Sequence, residues 1–367
     1  MQRNHSDLKN KSILIFIAII LFSFLFDPVL AQEKRSPRYV LTSDGKLNVR
    51  EKPKDGKVLF QVEKGEIVFV NEESQWEEWP AITTKSGAKG YAAAEFLGKK
   101  SIEELRDAKL FGSLDTDIDG SSFRTLAIRI KNQWVSANDH SAEASYLEKQ
   151  TIQTKEKAIA YKHAGVIGEF SPEKRGNAGC QGFRVLRGNL PTIGEINTLE
   201  DSVFGIFGSK ISDKVKSDRY KPIEKISKLL DSSVSEIFKK KHPRQTELKF
   251  LKQGDFYKIH SPAKQYIFIR YAIKMNMEVE EKSYYAALYE FKEGELGKKT
   301  FEKFDVLSQD QEIYGGQYHF INAFDLDENG TPILIIHHSG YDGYIHEFYR
   351  IKNDKMESMF STGGDAC

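Results

Sequence analysis

The residues best placed by type and spacing to do chemistry are two acidic loops, a histidine-bearing hairpin and a lone pair of cysteines. Asp115-Thr116-Asp117-Ile118-Asp119-Gly120 and Asp325-Leu326-Asp327-Glu328-Asn329-Gly330 both read D-x-D-x-[DN]-G. Alternate oxygen-bearing side chains at this spacing converge on one hard cation, and the glycine permits the sharp turn, so the chemistry is that of calcium. Asp325, Asp327 and Asn329 are the candidate ligands, and calcium is the cofactor that loop would take. Neither loop has a later acidic ligand: the ninth positions are Phe123 and Ile333, the twelfth Leu126 and Ile336. Both run straight into apolar segments, so they read equally as turns that start strands. His337, His338 and His346 flank Gly340-Tyr341-Asp342-Gly343. With Asp342 or Glu347 they would form a nitrogen–oxygen set suited to zinc; cross-strand pairing is the alternative. The sequence contains no G-x-S-x-G, no phosphate loop and no dinucleotide fingerprint.

The cysteines take their meaning from the first residues of the chain. Arg3, Lys9 and Lys11 precede an apolar run from Ile13 to Phe26, and Pro28 breaks it before Val29-Leu30-Ala31. A charged segment, a short apolar stretch and small residues before a cleavage point make a secretory signal peptide. The run is shorter than the ~20 residues that span a bilayer. Residues 1–31 are therefore expected to be removed after Ala31, leaving no transmembrane span and a periplasmic or secreted protein. In that oxidising setting Cys180 and Cys367, the only two cysteines, are expected to form a disulfide.

The elements that must position these groups are mostly strands. Of 367 residues 40% are hydrophobic, and phenylalanine (24) and tyrosine (16) are abundant, which favours β structure. Lysine plus arginine (54) nearly balances aspartate plus glutamate (53). No basic excess of the kind that neutralises phosphates is present, so nucleic acid is not an expected partner. Residues 39–99 consist of short apolar runs: Leu47-Asn48-Val49-Arg50, Val58 to Val62, Ile67 to Val70 and Gly90-Tyr91-Ala92. Asp44-Gly45, Asp55-Gly56, Lys64-Gly65 and Ser86-Gly87 supply turns between them, the pattern of a small all-β barrel.

These residues carry a family resemblance. Leu47-Asn48-Val49-Arg50-Glu51-Lys52-Pro53 resembles the LNVRxxP opening of bacterial SH3 domains, and Lys64-Gly65 with Val68-Phe69-Val70 is similar to the next turn and strand. Trp76 stands at the family's exposed tryptophan, and Gly87, Gly90 and Tyr91 resemble its closing G…GWV, with tyrosine for tryptophan. The resemblance implies an SH3-like barrel that binds cell-wall peptide or an envelope protein, with Trp76 and Tyr91 as candidate ligand-binding residues. Packing within the barrel is the other role open to both. Trp79 stands where the family has a core aliphatic and reads as packing.

Ser101-Ile102-Glu103-Glu104 is an N-cap followed by an acidic turn, so residues 100–110 are expected to form a linker helix. Residues 111–367 then form a larger β-rich domain with one or two helices. Its strands are expected at Phe123 to Ile130, Ala158 to Tyr161, Phe183 to Leu186, Tyr266 to Ile273, Tyr284 to Phe291, Ile333 to His338 and Tyr344 to Ile351. One clear helix carries Ile223, Ile226, Leu229, Leu230, Val234, Ile237 and Phe238 at three- and four-residue spacing, ending at Lys239-Lys240-Lys241 before Pro243. The two acidic loops resemble the Asp-rich turns of integrin-type propeller blades, so a propeller-like domain is the alternative fold, although no regular repeat joins them.

Gly179-Cys180-Gln181-Gly182-Phe183 resembles the D-C-S-G-[FLV] around the nucleophile of NlpC/P60 cysteine peptidases. That resemblance implies a peptidoglycan hydrolase with a divergent Cys180 nucleophile. The acidic residue and the serine of the motif are absent, as is an H-[VI]-[GA] strand after Gly254-Asp255 to supply the base such chemistry requires. The leading expectation is therefore an exported, non-catalytic binding protein of the cell envelope, with the hydrolase as alternative.

Overall fold

The alternation of apolar and polar residues is realised as strands along most of the chain. The computed structural model describes residues 34–117, 120–162, 165–178, 183–191, 202–241, 254–274, 282–307, 317–340 and 343–362. Among these the fold is mainly β, with three α-helices. The segment assigned to a signal peptide, Cys180 and Cys367 lie outside the described residues. The chain divides into two compact units, one holding residues 34–40 and 46–94, the other residues 41–45 and 95 onward.

The first unit contains β1 (Arg35–Val40), β2 (Lys46–Arg50), β3 (Val58–Glu63), β4 (Ile67–Asn71), β5 (Ala81–Thr84) and β6 (Lys89–Tyr91). They are antiparallel, in the order β3-β2-β6-β5-β4-β1. Side chains alternate across a strand, so Leu47 and Val49 on β2 and Val68 and Val70 on β4 all reach the core with Val62 and Ile82. Gly90 is required by close approach, because a Cβ there would lie 2.5 Å from Val49 Cγ1 and 2.8 Å from the Arg50 carbonyl oxygen.

In the second unit β7 (Leu97–Gly98) leads to α1 (Ile102–Leu105). Ser101 and Glu104 form the expected capping box, but the helix is one turn long and Lys109 and Leu110 open a strand instead. Pairing along nine residues of that strand, β8 (Lys109–Asp117), outweighs local helix preference. Next come β9 (Gly120–Ile130), β10 (Gln133–Ser136), α2 (Ser141–Thr154), β11 (Ala158–Lys162), β12 (Gly165–Ala178), β13 (Phe183–Asn189) and β14 (Val203–Ile206). Their antiparallel pairings close a circuit, β8-β9-β13-β12-β11-β14 and back to β8, with β10 added beside β9. Blades of a propeller are open sheets, so this circuit sets the fold apart from the propeller alternative.

β15 (Lys216–Arg219), α3 (Glu224–Lys241), β16 (Gly254–His260), β17 (Gln265–Lys274), β18 (Lys282–Lys292) and β19 (Glu295–Leu307) follow, the strands forming one meander in chain order. β20 (Gln317–Phe324), β21 (Ile333–Gly340), β22 (Gly343–Lys352) and β23 (Lys355–Thr362) form a second. The second meander is the middle layer. One face, with Phe324, Ile333, Ile335 and Phe348, packs on Phe111, Leu126 and Phe204 of the closed sheet. Its other face, with Phe320, Leu334 and Ile336, packs on Ile259, Phe268 and Leu288 of the first meander. Helix α3 lays Ile226, Leu230 and Val234 on Ile267, Ile269 and Tyr285 across the far side of that meander. Ile223 and Leu229, part of the expected apolar stripe, face solvent.

Helix α2 was not expected. It buries Glu143, Ser145, Glu148 and Thr151 together with Ala142, Ala144 and Leu147, so no apolar period marks it. Among the described residues no helix is long and apolar enough to cross a membrane.

Candidate functional site

Trp76 lies in the loop between β4 and β5, outside any strand, and 56% of its surface is exposed. The loop is folded on itself. Ser74 Oγ accepts the backbone N–H of Trp76 (3.5 Å) and of Ala81 (3.3 Å), and Trp79 N–H donates to the Trp76 carbonyl (3.2 Å). Ala94 N–H donates to the Glu78 carbonyl at 2.9 Å. An aromatic ring on a pinned loop offers contact area at small entropic cost. Trp79 is half-buried, in keeping with packing.

Four exposed carboxylates, Glu72, Glu73, Glu77 and Glu78, flank Trp76 in sequence. Glu72 is paired with Lys34 at 3.1 Å, and that hydrogen bond holds its carboxyl below the usual range. Four exposed carboxylates thus lie within four residues of the tryptophan along the chain.

Tyr91 sits half-buried on β6, in a cross-strand row that runs Val58, Arg50, Tyr91, Ala81. Arg50 Nη1 donates to the Gly56 carbonyl at 2.8 Å. The pairing of β2 with β3 skips from Phe60 to Val58, so Leu59 is the extra residue of a β-bulge. Bulges re-aim side chains, and Leu59 stands 49% exposed next to Val58 at 37%. The described contacts do not join Trp76 to Tyr91.

The acidic loop at Asp325 forms the turn before β21. Asp325 is buried and its Oδ1 accepts Gly330 N–H at 3.0 Å, while Asn329 Oδ1 accepts Thr331 N–H at 2.8 Å. Asp327 Oδ2 is paired with Arg350 Nη2 at 2.7 Å, and Glu328 Oε1 with Lys109 at 2.9 Å and Arg129 at 3.4 Å. Asp325 Oδ2 and Asp327 Oδ1 are buried with no hydrogen-bond partner among the described residues. Positive φ at Glu328 and Gly330 makes the sharp turn. Cationic side chains thus compensate two of the loop's three acids. Among the described residues no group of three or more His, Cys, Asp or Glu side chains could hold a metal ion. The earlier loop is the β8–β9 hairpin; its Ile118 and Asp119 lie outside the described residues.

The histidines pair differently from the zinc reading. His337 and His346 face each other across β21 and β22, with ring centroids 5.6 Å apart. His338 belongs to the opposite face, stacked on Tyr318 at 4.7 Å. The third member of the row is His319 on β20, 6.1 Å from His337, which sequence spacing could not reveal because it lies on another strand. Burial depresses all three, to about 3 for His319, about 4 for His337 and about 3 for His346. Glu347, offered as a ligand, accepts the Tyr349 hydroxyl at 2.9 Å, and Asp342 lies outside the described residues. No protein-family model, no curated protein and no solved structure matches the chain.

Proposed function

We propose that this chain is an exported, non-catalytic binding protein of the bacterial cell envelope whose first unit holds cell-wall peptide through Trp76. The observation that carries the reading is the exposed Trp76 ring on a loop pinned by Ser74. The exposed glutamates that flank it in sequence favour a peptide bearing an amine, because a cation is attracted both to an indole face and to carboxylates. The bulged Leu59 and its neighbour Val58 add exposed apolar surface on the same unit. The signal-peptide pattern of residues 1–31 supports export, and the resemblance of residues 39–99 to bacterial SH3 domains supports the ligand class. Insoluble peptidoglycan incubated with the protein tests the reading: the protein should pellet with it and release no soluble fragments. Fragment release abolished by Cys180→Ala would instead make the chain a hydrolase.

A further inference from the structure

A cavity of about 610 Å³ opens in the second unit, where the turn at Lys99 and Lys100, the β9–β10 hairpin and His140 meet. That size falls within the ~300–1,000 Å³ of small-ligand sites. Its charge is one-sided, with Lys99, Lys100 and Lys131 lining it against a single acid, Glu104. Glu104 is shared: Oε1 faces Lys131 at 3.2 Å and Lys100 at 3.9 Å, while Oε2 accepts Ser101 N–H at 3.1 Å in the cap of α1. Lys99 Nζ donates to a neutral group, the Asp139 carbonyl, at 2.9 Å, and among the described residues it has no carboxylate partner. Cationic charge at the cavity therefore exceeds its local compensation.

The frame behind these lysines is rigid. The buried Glu143 carboxylate accepts the backbone N–H of Lys99 at 2.6 Å and of Lys100 at 2.9 Å, so the turn is pinned from beneath. Burial opposes the charge on Glu143, but His140, followed by backbone N–H donors including that of Lys100, holds its carboxyl below the usual carboxylate range. A pinned turn reduces the ordering cost of binding. Asn132 and Gln133 add side-chain amides, donors and acceptors of the kind a peptide backbone satisfies.

We propose that this cavity binds an acidic peptide segment, its carboxylates at Lys100 and Lys131 and its backbone amides at Asn132 and Gln133. A lone phosphate would satisfy the lysines but leave the amide side of the cavity unfilled. The inference stands on this geometry alone and does not depend on the Trp76 surface.

Calorimetric titration of the purified protein tests it, with Ac-Ala-Glu-Ala-Glu-NH2, its glutamine counterpart and inorganic phosphate as probes. The acidic peptide is expected to bind saturably, and Lys100→Gln with Lys131→Gln to weaken it about tenfold or more, as the loss of charge-assisted hydrogen bonds implies. Both lysines are at the surface, with side chains 38% and 71% exposed; an unchanged Tm in the double variant shows that the loss is local. Glu104→Gln keeps the helix cap, since glutamine serves at that position, and should tighten the peptide several-fold. Equal binding of the glutamine peptide, equal binding of phosphate, or no saturable binding at millimolar concentration would each overturn the proposal.

Discussion

Arg270 Nη1 donates to His319 Nδ1 at 2.6 Å, so that nitrogen must be the acceptor and the proton of the neutral ring sits on Nε2. The same Arg270 nitrogen reaches Asp255 Oδ2 at 3.1 Å. From Asp255 a polar line runs through Arg270, His319, His337 and His346 to Thr362, crossing from the first meander into the middle sheet. A protonated His319 could not accept from the guanidinium, and burial already disfavours the charge.

This row makes the fold acid-sensitive. Each ring has an ordinary value near 6.5 and a folded value of about 3 or 4. Below about pH 6.5 the unfolded chain takes up protons that the folded row refuses. Stability is therefore full above that pH and falls as the pH drops toward 4. His346, buried between the two sheets' side chains and held at about 3, accounts for up to about 1.4 kcal/mol per pH unit in that window. Tm recorded from pH 7.5 to 4.5 should decline, and His346→Gln should decline less steeply; parallel slopes would contradict the assignment.

Gly112 and Gly205 face each other across β8 and β14 and leave room for the Phe123 ring. A Cβ on Gly112 would collide with the Arg124 carbonyl oxygen and lie 2.7 Å from Phe123 Cζ. Gly112→Ala should cost about 2 kcal/mol or more in urea unfolding, as overpacking does. A change below about 0.5 kcal/mol would mean that the closed sheet yields more readily than its packing implies.

Glu148 on α2 is buried beneath two arginines. Thr125 Oγ1 donates to its Oε1 at 2.7 Å, and Arg184 and Arg175 approach its Oε2 at 3.7 and 3.9 Å. Burial raises its carboxyl above the usual range even so, with the arginines opposing. Glu148→Leu removes the acid the two arginines share and leaves the buried Thr125 hydroxyl without its acceptor, and should destabilise by about 1–3 kcal/mol. Glu148→Gln keeps an acceptor for Thr125 and should cost less; urea melts of the two variants decide the order.

Strands were legible where apolar residues alternate or run together, as in Tyr266 to Ile273 within β17 and Ile333 to His338 within β21. Helix α3 was legible through Ile226, Leu230 and Val234 at helical spacing. Helix α2 was not, because its buried face carries Glu143 and Glu148, whose partners arrive from Lys99, Lys100, Thr125, Arg175 and Arg184 elsewhere in the chain. Long-range register likewise decides the histidine row, in which His338 drops out and His319 enters. Trp76 was legible as a candidate from its position in the motif; the four glutamates that flank it in sequence take their meaning from their exposure.

The most direct test of the account is co-sedimentation of the protein with insoluble peptidoglycan, wild type against Trp76→Ala. The substitution removes an exposed ring and should leave stability within about 0.5 kcal/mol of the wild type. The account predicts that the wild type pellets and that Trp76→Ala stays in the supernatant with its fold intact. Equal pelleting of the two proteins would contradict it.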